Sequence, residues 1–278
     1  MIWTALVAAV VGVVAVKAIV TAALLRFSGV VRRGTAAEVG LLETYRPAYI
    51  NDLHEWSVRQ YAMSGNRVGG FYTSTIGFGY NTEVLKKKKL AEPKCWADLI
   101  KPEYKGEVEI SHPASSGTAY TVIAGLVQQM GEEQAFDYLK KLHRNITTYT
   151  RSGQAQAPNV AKGEVGVGIT FMFNFEKWKA DKYPVKTQAP CEGTSYEVGG
   201  IALVKGARNL ENAKKYYDWL MSPAGQAVGA KVGSYQTPAN KTFKADPRIR
   251  FAGQVTVFDT RHTDSPCYAC AFPPSDDL

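Results

Sequence analysis

The sequence is poor in the residues that build metal centres, disulfide scaffolds and covalent catalysts. Four cysteines in 278 residues are too few for a fold made by disulfides. The four histidines, His54, His112, His143 and His262, show no metal-ligand spacing among themselves. No Gly-x-Ser-x-Gly elbow and no Cys–His signature marks a nucleophilic enzyme. The stretch VGVGITF holds Gly166 and Gly168 but lacks the third glycine and the helix of a dinucleotide loop, so it reads as a strand. There is no internal repeat. The Lys86–Lys89 run has no interleaved aromatics, so it reads as a solvated helix end and not as a nucleic-acid surface. With 45% hydrophobic and 21% charged residues, disorder, collagen and coiled coil are excluded for the whole chain.

What remains is an ordinary globular composition. The length suits one large α/β domain or two lobes of ~100–150 residues. A net charge of +8 allows an anionic partner without choosing one. Residues 2–25 form an apolar run with one charge, Lys17. A helix of ~20 such residues spans a bilayer, so residues 1–34 read as a membrane or signal segment. A secretory signal wants positive charge before the run, whereas Arg26, Arg32 and Arg33 follow it. A signal, an anchor and a misassigned start all stay open.

From Thr35 onward strand and helix patterns alternate. Asp52–Met63 reads as a polar helix and Gly70–Tyr80 as a strand. Val108–Ile110 is a short strand, Thr121–Met130 an apolar helix, and Gly131–Leu142 a helix with Phe136, Leu139 and Leu142 on one face. Ile146–Tyr149 and Val165–Phe171 are strands flanking a helix that ends at Lys162. Gly199–Val204 is another strand, and Asn209–Met221 is a helix capped by Asn209 and Asn212. Ser222-Pro223 opens the next helix. The alternation predicts a mostly parallel sheet with crossover helices. Beyond Pro247 the pattern weakens. Tyr216 and Tyr217 invite a tyrosinate reading, but Tyr216, Trp219 and Leu220 have the spacing of a packed helix face.

The strongest local site is EVEISHPASSGTAYT. A strand ends and a helix begins at Ser115, Ser116, Gly117 and Thr118, where first-turn N–H groups and hydroxyls could hold an anion. Simple N-capping by Ser115 or Ser116 is the competing reading. A second such turn falls at Thr150, Arg151, Ser152 and Gly153, with Arg151 able to grip an anion bidentately. A third is expected at Gly193, Thr194, Ser195 and Tyr196. Three turns at the carboxyl ends of parallel strands would face one crevice. Cys95 and Cys191 both lie in turns. If they pair, the long closed loop is worth up to ~4–5 kcal/mol and implies an oxidising compartment. Cys267 and Cys270 form a C-x-x-C in the weak tail, without the strand and helix of a redox motif.

Several long segments, GFGYNTEVL, PKCWADLIKPEYKGEVEISHPASSGTAYT, YTRSG, PCEGTSYEVGGIALVKGARNLENAKKYYDWLMSPAGQ and YQTPAN, resemble the extracytoplasmic solute-binding proteins of ABC importers. The nearest branch is the ferric-iron-like one of the type 2 periplasmic fold. The resemblance covers Glu38–Asn240. It implies an α/β fold of two lobes joined by crossing strands near Thr75–Tyr80 and Gly199–Leu203, with residues 35–80 and 198–278 in lobe 1 and 81–197 in lobe 2. It implies hinge closure around a small anionic solute, phosphorylated or phosphonate, held by Ser115, Ser116, Gly117, Thr118, Thr150, Arg151, Ser152, Gly153, Asn174 and Tyr196. A Cys95–Cys191 disulfide, a periplasmic monomer delivering to an inner-membrane ABC permease, and no cofactor, metal or nucleic acid are also implied. Iron-binding members carry adjacent tyrosines where this chain has Phe173, Asn174 and Phe175. A related branch has His-Asp at Phe173-Asn174, which is also missing. The family's opening βαβα segment and closing helix are absent, so lobe 1 is expected to be incomplete, with the N-terminal hydrophobic helix in place of the opening segment. Ferric ion with a synergistic anion, a non-binding remnant, and an enzyme on the same fold using Glu197 or His112 are the alternatives.

Overall fold

The computed structural model describes residues 24–27, 36–37, 39–244, 246, 248–249 and 257–259. In chain order its elements begin with strand β1 (Leu24–Phe27), helix α1 (Glu55–Met63), the long strand β2 (Val68–Asn81) and helix α2 (Thr82–Lys87). Two 3-10 turns, Trp96–Ile100 and Pro102–Tyr104, lead to β3 (Val108–Ser111), α3 (Gly117–Met130), α4 (Glu132–His143) and β4 (Ile146–Thr150). There follow α5 (Gln156–Lys162), β5 (Val167–Phe171), α6 (Phe173–Ala180), β6 (Val185–Gln188) and β7 (Thr194–Leu203). The last elements are α7 (Leu210–Met221), α8 (Pro223–Lys231), β8 (Thr237–Pro238) and β9 (Val257–Asp259). Among the described residues no helix is long and apolar enough to cross a membrane.

The chain divides into two compact units. The first takes the residues up to Tyr72, with Val198–Val228 and a short segment from Pro238. The second takes Thr73–Glu197, Gly229–Thr237 and the residues from Asp246. Strands β2 and β7 therefore each run through both.

In the second unit β3 lies between β4 and β5 and is parallel to both. Strand β2 runs antiparallel to β5 and β6. The sheet is thus mixed and not mostly parallel, because β2 enters from the other unit against the direction of β5. Every residue of β5 is buried, which a strand hydrogen-bonded on both edges and covered on both faces requires. Ile76, Phe78, Leu99, Leu126 and Ile169 form the centre of this core. Each such side chain contributes about 1.5–3 kcal/mol on burial. Trp96 meets Phe78 and Tyr138 edge to face, at 5.8 and 6.4 Å. Asn81 ends β2 and caps α2, accepting from the Glu83 and Val84 N–H groups at 3.0 and 3.1 Å. Gly131 separates α3 from α4 at φ +83, and Gly163 ends α5 at φ +78, both conformations that favour glycine.

Cys95 and Cys191 are joined by a disulfide that closes a loop of 96 residues. Hydrogen bonds reinforce the join. The Cys191 N–H donates to the Lys94 carbonyl at 2.9 Å, and the Glu192 carboxylate accepts from the Trp96 and Ala97 N–H groups at 2.8 and 3.0 Å.

In the first unit Leu53, Phe71, Ile201, Leu203, Tyr217 and Met221 build a separate core. Strand β1 pairs antiparallel with β7, so the end of the apolar run, Leu24–Leu25, is extended and not helical. The rest of that run lies outside the described residues, as do His262, Cys267 and Cys270. Two helix faces agree with expectation except at one residue each. In α4 Leu142 is buried with Ala135 and Tyr138 and Leu139 packs against the core, while Phe136 is exposed. In α7 Tyr216 and Leu220 pack against the core beside the buried Ala213, Tyr217 and Met221, while Trp219 is exposed. Asn209 sits at the start of α7 without a side-chain cap, and Asn212 lies within the helix.

Candidate ligand-binding site

Strand β3 ends at Ser111, and the next five residues turn back tightly. The Ser115 and Ser116 N–H groups both donate to the His112 carbonyl, at 3.1 and 3.0 Å. Ser116 is extended and precedes the first turn of α3, yet its hydroxyl does not cap the helix. It is paired instead with the Ser111 hydroxyl at 2.9 Å. The Ser115 hydroxyl lies 3.3 Å from the His112 carbonyl and 3.2 Å from that of Arg151. Neither serine fulfils the capping reading. Among the described residues Ser116 gives α3 no side-chain cap, and the helix's first N–H groups carry the positive end of its dipole.

The second turn follows β4. The His112 N–H donates to the Thr150 carbonyl at 2.8 Å, which locks the two turns side by side. Gly153 lies directly against the first turn. A Cβ at this position would sit 2.3 Å from Thr118 Oγ1, 2.7 Å from Thr118 Cβ and 2.9 Å from Ser116 Oγ. Only glycine permits this approach. Behind the turn, Gln156 is fully buried. Its amide oxygen accepts from Thr150 Oγ1 at 2.6 Å and from the Ser111 N–H at 2.8 Å, and its nitrogen donates to the Gly153 carbonyl at 3.1 Å. Thr170 Oγ1 donates to the same carbonyl. Asn174 Nδ2 donates to Thr170 Oγ1 at 2.9 Å and lies 3.4 Å from the Gly153 oxygen.

The structure therefore brings Ser115, Ser116, Thr118, Thr150, Arg151, Ser152 and Gly153 together, with Gly117 opening α3 between them and Asn174 in support. The Arg151 side chain is exposed, and its carbonyl is what Ser115 meets. The third turn does not form. Gly193 turns at φ +98 straight into β7, so Thr194, Ser195 and Tyr196 are strand residues, and Tyr196 is in register with Asp259 of β9. Gln156 and Thr170, which brace the second turn, carried no motif; only the burial of two polar side chains reveals them.

Other candidates separate cleanly. His112 is exposed, and its Nδ1 accepts from the Ala114 N–H at 3.2 Å. Glu197 is buried, and its carboxylate lies 3.4 Å from Thr121 Oγ1. Tyr217 is buried in the first unit's core, and burial drives its hydroxyl pKa far above the ordinary 10.0, which opposes a phenolate ligand. Phe175 is fully buried, and Phe173 stacks on Phe171 at 6.0 Å. Among the described residues the one metal-capable group is Cys95, Cys191 and Glu192, whose sulfurs are already bonded to each other.

Residues 19–256 match the family of bacterial extracellular solute-binding proteins. The chain belongs to that family. Its fold is that of the periplasmic binding proteins. It is similar to the periplasmic binding protein AfuA of Actinobacillus pleuropneumoniae, solved with fructose-6-phosphate bound. The two are 39% identical with a TM-score of 0.80, over 86% of this chain and 76% of AfuA. Iron-bound HitA of Pseudomonas aeruginosa, at 20% identity and a TM-score of 0.67 over 82% of this chain and 73% of HitA, shares the fold. An uncharacterized protein of Haemophilus influenzae is 44% identical over 214 residues, which are 76% of this chain. The match spans 62% of that relative's length. The family and AfuA are binding proteins and not enzymes.

Proposed function

We propose that this chain is the solute-binding component of an ABC importer, and that its solute is a small phosphorylated molecule of the sugar-phosphate class. The phosphate would sit at the first turn of α3, against Ser116, Gly117 and Thr118, with Arg151, Ser152 and Gly153 closing over it from the second turn. One observation carries this reading: α3 begins without a side-chain cap while a second strand-to-helix turn is locked against it. Uncapped N–H groups at the positive end of a 14-residue helix suit a phosphate in charge and geometry. The similarity to AfuA, solved with fructose-6-phosphate, supports the same class. Ferric iron has less support, since Phe173, Asn174 and Phe175 offer no phenolate.

The mechanism we attach to this reading is hinge closure of two lobes, 35–80 with 198–278 and 81–197, that favours the bound form. The periplasm would be the compartment and an inner-membrane permease the recipient. Calorimetric titration with fructose-6-phosphate, fructose and inorganic phosphate tests the site. Arg151→Ala should weaken fructose-6-phosphate binding about tenfold or more, the scale of one charge-assisted hydrogen bond. Unchanged affinity in that variant would remove Arg151 from the site.

A further inference from the structure

A small cavity with several hydroxyls on its lining lies in the same unit and touches neither anion turn. Thr73, Ser74 and Thr75 of β2, Glu176 of α6, and Tyr235 and Thr237 enclose a cavity of about 20 Å³. Such a space admits one water-sized group, hence a single hydroxyl, and not the four oxygens of a phosphate. Ser74 is 4% exposed, and its Oγ is buried with no hydrogen-bond partner among the described residues. An orphaned buried hydroxyl is costly and calls for an explanation.

The lining narrows the chemistry. Its hydroxyls stand beside apolar walls from Met172 and Phe173, and its buried acid, Glu176, is an acceptor already paired with Lys179 at 2.9 Å. The cation at the rim, Arg248, is held by Asp246 at 2.6 Å and lies over the Tyr235 ring at 4.4 Å. Among the described lining residues no unpaired positive charge is offered to an anion. A neutral hydroxyl suits the lining, because it can accept from one partner and donate to another.

Position links this cavity to the anion turns. Phe173 lines it, and Phe173 also lines a groove that contains Ser152, Asn174 and Lys177. Asn174, the next residue, holds the Gly153 carbonyl. The first turn of α6 thus has one residue at each site.

We infer that the Ser74 cavity reads a hydroxyl of the solute, so that the site takes a phosphorylated polyol and not a bare phosphate or a simple phosphonate. This rests on the proposed phosphate site and adds Ser74 as a specificity-determining residue. The test is calorimetric titration of wild type and Ser74→Ala with fructose-6-phosphate and inorganic phosphate, followed by titration of wild type with hexose phosphates each lacking one hydroxyl. Ser74→Ala should lose five- to tenfold in affinity for fructose-6-phosphate and keep its affinity for inorganic phosphate. One deoxy analogue should show the same loss with wild type and no loss with Ser74→Ala. Wild-type affinity retained in the variant would overturn the inference and leave Ser74 with a buried water as its partner. Equal binding of every deoxy analogue to wild type would overturn it without any variant. Binding of inorganic phosphate but not of fructose-6-phosphate would overturn it while leaving the anion turns intact. No binding of either by wild type would overturn the phosphate reading and this one together.

Discussion

At Gly153 a single missing side chain lets the two strand-to-helix turns meet. A methyl there would collide with the Cβ of Thr118 at 2.7 Å, which no rotation of the threonine relieves. Gly153→Ala should therefore push the second turn off the first. We expect at least a tenfold loss in affinity for fructose-6-phosphate with the cooperative melt retained, read by calorimetry beside thermal unfolding. Asn81 is the structural counterpart. It caps α2 with its oxygen and reaches the Val160 carbonyl at 2.9 Å with its nitrogen, all while buried. Asn81→Ala removes a cap and orphans a buried carbonyl, so a loss of about 2–3 kcal/mol is expected in urea unfolding.

Among the elements, the 3-10 turn Trp96–Ile100 is held by two carboxylates and the disulfide. Asp98 accepts from the Lys94 and Cys95 N–H groups at 2.8 and 2.9 Å and from Lys101 Nζ at 2.6 Å. The Lys101 ammonium first, and those N–H groups after it, hold its pKa below the ordinary 3.8 against the opposing effect of burial. A depressed folded pKa favours the folded state at any pH above the unfolded value, and that contribution fades as pH falls through the folded value. Wild type should therefore lose more stability than Asp98→Asn as pH drops below about 4, measured by denaturant unfolding across pH. Parallel pH profiles would show that Asp98 does not supply this contribution. Reducing the Cys95–Cys191 bridge reopens a loop of 96 residues. It should cost up to about 4–5 kcal/mol with secondary structure at 25 °C unchanged, because the Glu192 and Lys94 hydrogen bonds persist.

The same elements show how much was legible in the sequence. Strand β5 and helix α3 were plain, because continuous apolar runs and glycine punctuation declare themselves. Strand direction was not, since residue pattern carries no vector, and so the antiparallel β2 was missed. On α4 and α7 only Phe136 and Trp219 fall off the expected packed faces, because they look like core residues by type alone. Gly193–Tyr196 imitates a ligand turn in composition, but no helix follows it. The two neighbouring strand-to-helix turns were readable from Ser116–Thr118 and Thr150–Gly153, and that they hold an anion is the proposal made above. Ser74, inside the strand-like GFYTSTIGFGY, was not, for an orphaned hydroxyl is a property of packing.

On the scale of the molecule, two units with separate cores are threaded by β2 and β7, and both proposed ligand turns and the Ser74 cavity belong to the second. A net charge of +8 favours approach of an anion without selecting one. Selection is assigned to the uncapped start of α3 and its partner turn. The most direct test of that assignment is calorimetric titration of the full chain with fructose-6-phosphate beside fructose. Saturable binding of the phosphorylated sugar alone, weakened at least tenfold by Gly153→Ala, is the predicted result. Equal binding of fructose, or tight binding that ignores Gly153→Ala, would contradict it.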